Sequence, residues 1–215
     1  MLLMKNMKAF FLVVIIAVTL SIALIASSEF QKINEKMKEK YETTTLGGGC
    51  FWCVEAVFSE TKGVLSALSG YSGGLVNNPS YKEVTTGRTG HAEVVQITFD
   101  PEIISFEQIL TIFFSVHDPT TLNRQGADVG PQYRSVIFYH TISQKDIAEK
   151  MISRLNNDKI FANTIVTQVT PLINYYQAED YHQQYFKKNP EVGYCNFVIK
   201  PKMDKFRKEF SSKLK

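Results

Sequence analysis

Three consecutive glycines followed by a cysteine, Gly47-Gly48-Gly49-Cys50, constrain this 215-residue chain more than any other feature. Glycine is the poorest residue for the interior of a regular element. The run therefore reads as a turn between the β-prone residues 43–46 and an apolar stretch at 50–59 that predicts a short helix. A thiol at the helix start faces unpaired N–H groups and partial positive charge, which favours its thiolate. Glycines let a substrate approach the backbone closely, and Phe51 and Trp52 add an apolar wall beside the sulfur. The combination reads as a nucleophile in a pocket.

Beyond this segment, strands and helices alternate. Residues 64–71, 91–99, 133–140 and 165–172 read as strands. Ser105 caps a helix over 106–116 with Ile109, Ile112, Phe113 and Val116 on one face. Ser143 with Asp146 resembles a capping box ahead of Ile147, Met151 and Leu155, which recur every four residues as core positions. Residues 179–188 read as a polar helix with aromatics, and 200–215 as a solvated amphipathic helix. Polar loops at 72–80 and 118–132 are where a site is expected. The class is α/β in one globular unit, without repeats or low-complexity tracts.

The N-terminus is different in kind. Lys5 and Lys8 precede an apolar run of 18 residues, 9–26, interrupted only by Thr19 and Ser21. That length just spans a bilayer and exceeds most signal-peptide cores. Two readings stand: a retained membrane anchor, or an export signal cleaved near Ala26 and Ser28. Both place the globular part outside the cytoplasm. Residues 1–28 are thus anchor or signal peptide, 29–42 a charged linker and 43–215 the catalytic unit. The two leading lysines are the only charges before Glu29, so of the 24 Lys and Arg 22 remain to nearly balance the 21 Asp and Glu over the rest of the chain. That balance gives no electrostatic basis for nucleic-acid binding.

Three cysteines do not make a stapled scaffold, and about 170 residues bury a core without one. Cys50 and Cys53 at i, i+3 form a CxxC, which fits a redox pair or half a zinc site. Zinc needs further ligands, Cys195 stands alone and the four histidines are scattered, so no metal is expected. Glu93, at the start of an apolar strand, suits a general acid if it is dehydrated and a solvated strand end if it is not.

The motifs Gly49-Cys50-Phe51-Trp52, Gly70-Tyr71-Ser72-Gly73-Gly74, Pro79-Ser80-Tyr81, Thr89-Gly90-His91-Ala92-Glu93, His117-Asp118-Pro119-Thr120, Asn123-Arg124-Gln125-Gly126 and Gln132-Tyr133-Arg134-Ser135 occur together and in order. Over residues 43–210 the chain resembles the peptide methionine sulfoxide reductase A (MsrA) family, which repairs the S epimer of methionine sulfoxide. The resemblance implies an α/β fold of ferredoxin-like βαβ plait type, a mixed sheet flanked by helices, preceded here by an N-terminal hydrophobic helix. It implies Cys50 as nucleophile, Glu93 as acid, Tyr81 and Tyr133 as phenols on the sulfoxide oxygen, Asp128 as an organiser of the pocket, and Phe51 and Trp52 as walls around the substrate methyl. No cofactor is implied beyond an external dithiol such as thioredoxin.

For the thiol that resolves the oxidised Cys50, Cys195 on a mobile C-terminal tail is preferred. Cys53 is the alternative, and a relay through both is the third reading. Expected partners are oxidised proteins or peptides, a thioredoxin-like reductant and, if the leader is retained, a membrane; the protein is expected to be a monomer. Two rival classes remain at this level. A general thiol–disulfide oxidoreductase would use Cys50 and Cys53, although Trp52 lies between them and not before the first. A binding module for oxidised methionine would form no sulfenic acid.

Overall fold

A computed structural model describes residues 40–215, so the expected leader, its hydrophobic helix and most of the charged linker lie outside the described residues. Residues Glu42–Lys215 form one compact unit. Its strands are β1 (Glu42–Gly48), β2 (Val64–Ser72), β3 (Ala92–Phe99), β4 (Arg124–Gln125), β5 (Asp128–Val129), β6 (Ser135–Tyr139), β7 (Gln168–Pro171) and β8 (Tyr176–Gln177). Its helices are α1 (Phe51–Glu60), α2 (Tyr81–Thr85), α3 (Phe106–Val116), α4 (Ile142–Asn157), α5 (Tyr185–Lys188) and α6 (Lys200–Glu209). The main sheet runs β7-β6-β1-β3-β2-β8, and β4 and β5 make a separate two-stranded ribbon. Only the β6–β7 pair is parallel, so the sheet is mixed and the fold is α/β.

Side chains alternate across a strand. On β3, Val95, Ile97 and Phe99 enter the main core with Leu46 and Ile137 and with Val57, Phe58, Ile109, Phe113, Met203 and Phe206 from the helices. Ala92 and Val94 face the other side, where Val136 and Phe138 are covered by Leu172 and Tyr175. Glu93 shares the period of Val95 and Ile97, which carries its carboxyl to the helix-covered face.

Gly47 and Gly48 belong to β1 and not to a turn. They pair with Val136 and Ser135 of β6. A Cβ at Gly47 would stand 2.9 Å from the Glu93 carbonyl oxygen, and one at Gly48 2.9 Å from the Phe113 ring. The glycines are required by close packing, and only Gly49, at φ +92°, makes the turn.

Ser105 caps α3 in a full capping box with Gln108, as its sequence suggests. The cap of α4 is Thr141, whose hydroxyl accepts from the Gln144 N–H, so Ser143 lies inside the helix. Only Met151 of the proposed trio is fully buried, with Ile147 and Leu155 packed partly against the core. The expected strand at 165–172 is confined to Gln168–Pro171, and the helix expected over 179–188 to Tyr185–Lys188. Tyr133 lies ahead of its strand, in a 3-10 turn over Pro131–Tyr133. Among the described residues no helix is long and apolar enough to cross a membrane.

Candidate active site

Cys50 is the N-cap of α1, with φ −57° and ψ 125°, and is nearly buried. Its thiol hydrogen-bonds with the thiol of Cys53 and the hydroxyl of Tyr194. Burial, the Cys53 thiol and the Glu93 carboxyl push it well above its ordinary range, so the resting sulfur is a thiol and not the thiolate expected at a helix start. The geometry gives the reason. The Phe51 N–H, the first of the helix, donates to Glu93 Oε2 at 3.0 Å, and the sulfur is cut off from water. The Cys53 thiol is shifted downward, first by its hydrogen bond with Cys50 and then, against burial, by the Lys202 ammonium.

Glu93 sits on β3 opposite Tyr71 of β2 and is 2 % exposed. Burial pushes its carboxyl up to about 8, partly opposed by the Phe51 N–H and reinforced by Asp128 and Cys53. It is therefore a neutral acid at pH 7, as a dehydrated carboxyl must be when no cation compensates it. Two phenols lie in its field. Tyr81, the first residue of α2, is pushed up to about 12 by burial and then by Glu93. Tyr133 is raised by burial, Glu93 and Tyr81, with Asp128 and Cys50 adding to the shift. Both phenols keep their protons and can donate.

The aromatic wall is locked from behind. Phe51 packs against Trp52, Tyr71, Tyr81 and His182. The Trp52 indole stacks on Tyr185 at 3.8 Å between ring centres and 8° between planes, and its Nε1–H donates to His182 Nδ1 at 3.1 Å. That bond leaves the histidine proton on Nε2, 3.8 Å from Glu179 Oε2. Glu179 also accepts from the Tyr71 hydroxyl at 2.8 Å and the Tyr81 N–H at 2.9 Å. Asp128, on β5, accepts from the Tyr194 hydroxyl at 2.6 Å.

The site thus unites Cys50, Cys53, Phe51, Trp52, Tyr81, Glu93, Asp128 and Tyr133. It adds Tyr194, His182, Glu179 and Tyr185, which the sequence reading passed over; the i, i+3 pair Glu179 and His182, next to several tyrosines, was the available signal. Cys195 is fully buried in a π-helical turn, Cys195–Ile199, that leads into α6, and is not on an exposed tail. Burial and the neighbouring Cys53 raise its thiol. All three cysteines are free. Among the described residues no group of three or more His, Cys, Asp or Glu is placed to hold a metal.

Residues 42–214 match the family model described as peptide methionine sulfoxide reductase. The chain belongs to the peptide methionine sulfoxide reductase A family. A relative from Trichodesmium erythraeum, peptide methionine sulfoxide reductase MsrA, is 57% identical over 79% of this chain and 96% of its own length. One of the same description from Saccharolobus solfataricus is 56% identical over 81% and 97%. Among solved structures, reduced Mxr1 of Saccharomyces cerevisiae superposes with a TM-score of 0.68 at 34% identity, covering 74% of this chain and 91% of the other. Methionine sulfoxide reductase A of Corynebacterium diphtheriae gives 0.65 at 39% identity, covering 74% and 79%. The activity of this MsrA-family chain is the reduction of peptide methionine sulfoxide to methionine.

Proposed function

We propose that the chain reduces the S epimer of methionine sulfoxide, free or in proteins, with the residues of this site in distinct roles. The observation that carries the assignment is the buried, protonated Glu93 beside a dehydrated Cys50. The Cys50 sulfur attacks the sulfoxide sulfur while Glu93 delivers a proton to the oxygen. Tyr81 and Tyr133 donate hydrogen bonds to that oxygen as negative charge develops on it. As the bond from Cys50 to the sulfoxide sulfur forms, the S–O bond breaks, and the oxygen leaves as water with the Glu93 proton and the Cys50 thiol proton. Water then adds to the Cys50 sulfur, the bond to the substrate sulfur breaks, methionine leaves, Cys50 is left as sulfenic acid and the proton released restores Glu93. Phe51 and Trp52 enclose the methyl group, and Asp128 holds the Tyr194 hydroxyl at the edge of the pocket.

A second thiol then condenses with the sulfenic acid, releasing water and forming a disulfide. Cys53 is best placed for this step, because its thiol already touches Cys50. Cys50 is the N-cap, tied to α1 through its carbonyl, which accepts the Cys53 N–H at 3.1 Å, so closing the pair asks only the first turn of the helix to adjust. Cys195 lies within the electrostatic reach of Cys53, which supports the relay reading: Cys50–Cys53 first, then Cys53–Cys195, then exchange with a thioredoxin-like dithiol.

The chain order β1-α1-β2-β3-α3-β6, with β6-β1-β3-β2 adjacent in the sheet, supports a ferredoxin-like plait extended by β7 and β8. The apolar leader supports work outside the cytoplasm on oxidised proteins, tethered or released. Cell fractionation with N-terminal sequencing of the mature chain tests that placement.

The catalytic assignment is tested by epimer-resolved reduction of methionine sulfoxide with dithiothreitol. The S epimer should be consumed, the R epimer left, and Cys50→Ser inactive. Repair of the S epimer by Cys50→Ser removes the assignment.

A further inference from the structure

Glu55 is a carboxylate that this mechanism does not use. It lies on α1, one turn beyond Trp52 on the same helix, and is 1 % exposed. A buried carboxylate is costly unless its oxygens are satisfied. Among the described residues it forms no close ion pair, and Lys188 acts on it only through its field. Burial pushes the carboxyl up from its ordinary range, and three donors oppose that shift: two backbone N–H groups and the Ser69 hydroxyl. The Gln184 N–H donates to Oε1 at 2.9 Å, and the Tyr185 N–H also donates to the carboxylate.

Gln184 has φ +56° and ψ +37°, a left-handed conformation that costs a non-glycine residue on the order of 1 kcal/mol. Left-handed Gln184 followed by helical Tyr185 turns two successive N–H groups into one concavity, a backbone nest suited to an anion. The Glu55 carboxylate occupies it. The consequence is positional. Tyr185 is the residue whose ring stacks on Trp52, and His182, three residues earlier, accepts the Trp52 indole N–H. One helix therefore carries both the wall of the pocket and the anion that seats the segment supporting that wall.

We propose that Glu55 is a positioning residue for substrate affinity. Its carboxylate, seated in the Gln184–Tyr185 nest, holds the Tyr185 ring against Trp52 and so shapes the methyl pocket. The inference rests on the reading of Trp52 as a pocket wall. The competing anchor for the segment is Gln183, whose side chain bonds Ser69 and Ala178 backbone groups on the β2 side. If Gln183 alone positions the segment, the Glu55 carboxylate is dispensable for affinity.

Trp52 is the single tryptophan of the chain, so its emission reports this wall directly. Glu55→Gln in the full chain keeps the side-chain volume but sets an amide against the nest. The expected result is a brighter, red-shifted Trp52 emission and a KM for methionine sulfoxide raised about tenfold, the scale of one charge-assisted hydrogen bond, with an unchanged saturating single-turnover rate. Tyr185→Leu, which leaves the carboxylate seated, should reproduce the KM rise and is decisive if Glu55→Gln does not fold. Wild-type emission and KM in Glu55→Gln overturn the proposal. So does a loss confined to melting temperature or to the saturating rate, or an unchanged KM in Tyr185→Leu. A Trp52→Ala enzyme with wild-type KM would instead remove the pocket reading beneath it.

Discussion

Glu93→Gln should make the protein more stable and nearly inactive, and both effects follow from one number. In the folded chain the carboxyl keeps its proton up to about pH 8, against an ordinary value of 4.5. Between those values the folded state holds a proton that the unfolded state has released. The protein therefore loses stability as pH rises from about 4.5 and stops losing it above about 8. The cost accumulated by pH 7 is roughly 3 kcal/mol, taking ~1.4 kcal/mol for each unit of pH above the unfolded value. Glutamine carries no such penalty, and its carbonyl still accepts the Phe51 N–H that Glu93 now binds. Denaturant unfolding of both proteins from pH 5 to 9 should show the variant gaining on the wild type as pH rises, then a constant gap above pH 8. The same substitution removes the transferable proton, which should slow single-turnover reduction by about 10²–10⁴-fold. In the wild type that step should weaken as pH climbs through 8. A stability gap that ignores pH, or a variant less stable than the wild type at pH 9, would refute the reasoning that Glu93 is a neutral buried acid.

Cys53→Ser should still release one methionine per enzyme but recycle poorly with thioredoxin. Cys195→Ser should accumulate the Cys50–Cys53 disulfide, visible by mass spectrometry of alkylated enzyme. Recycling at the wild-type rate in Cys53→Ser would return the first resolving step to Cys195. Gly48→Ala should cost about 1–3 kcal/mol in denaturant unfolding, because its Cβ would stand 2.9 Å from the Phe113 ring and 3.2 Å from His117. A fully stable Gly48→Ala protein would contradict the packing account of the glycine run.

Where sequence and structure agree, the signal is periodic or chemical. The alternation along β3 foretold its two faces, and Ser105 with Gln108 wrote the start of α3 into four residues. Where they part, a long-range contact decides. Gly47 and Gly48 look like a turn because glycine suits turns, and nothing local reveals that Val136 and Phe113 leave no room for a Cβ. The thiolate expected at Cys50 failed for a similar reason: the helix N–H meant to stabilise it is claimed by Glu93, 42 residues later in the chain. Residues 179–188 have helical composition, but beside the bonds of Gln183 and Glu55 they run through hydrogen-bonded turns and a left-handed Gln184 before α5 begins. Tyr194 and His182 join the site only through tertiary contacts with Asp128 and Trp52. The motif residues needed no such help, since their identities carry the chemistry.

The most direct test follows the oxidation of Cys50 itself. Cys53→Ser/Cys195→Ser enzyme, with Cys50 as its only thiol, is mixed with one equivalent of methionine (S)-sulfoxide, then trapped with a sulfenic-acid reagent and analysed by mass. The account predicts one methionine released per enzyme, with the trapped adduct on Cys50 and none formed when Glu93 is replaced by Gln on the same timescale. Methionine released with Cys50 left as an unoxidised thiol would contradict it.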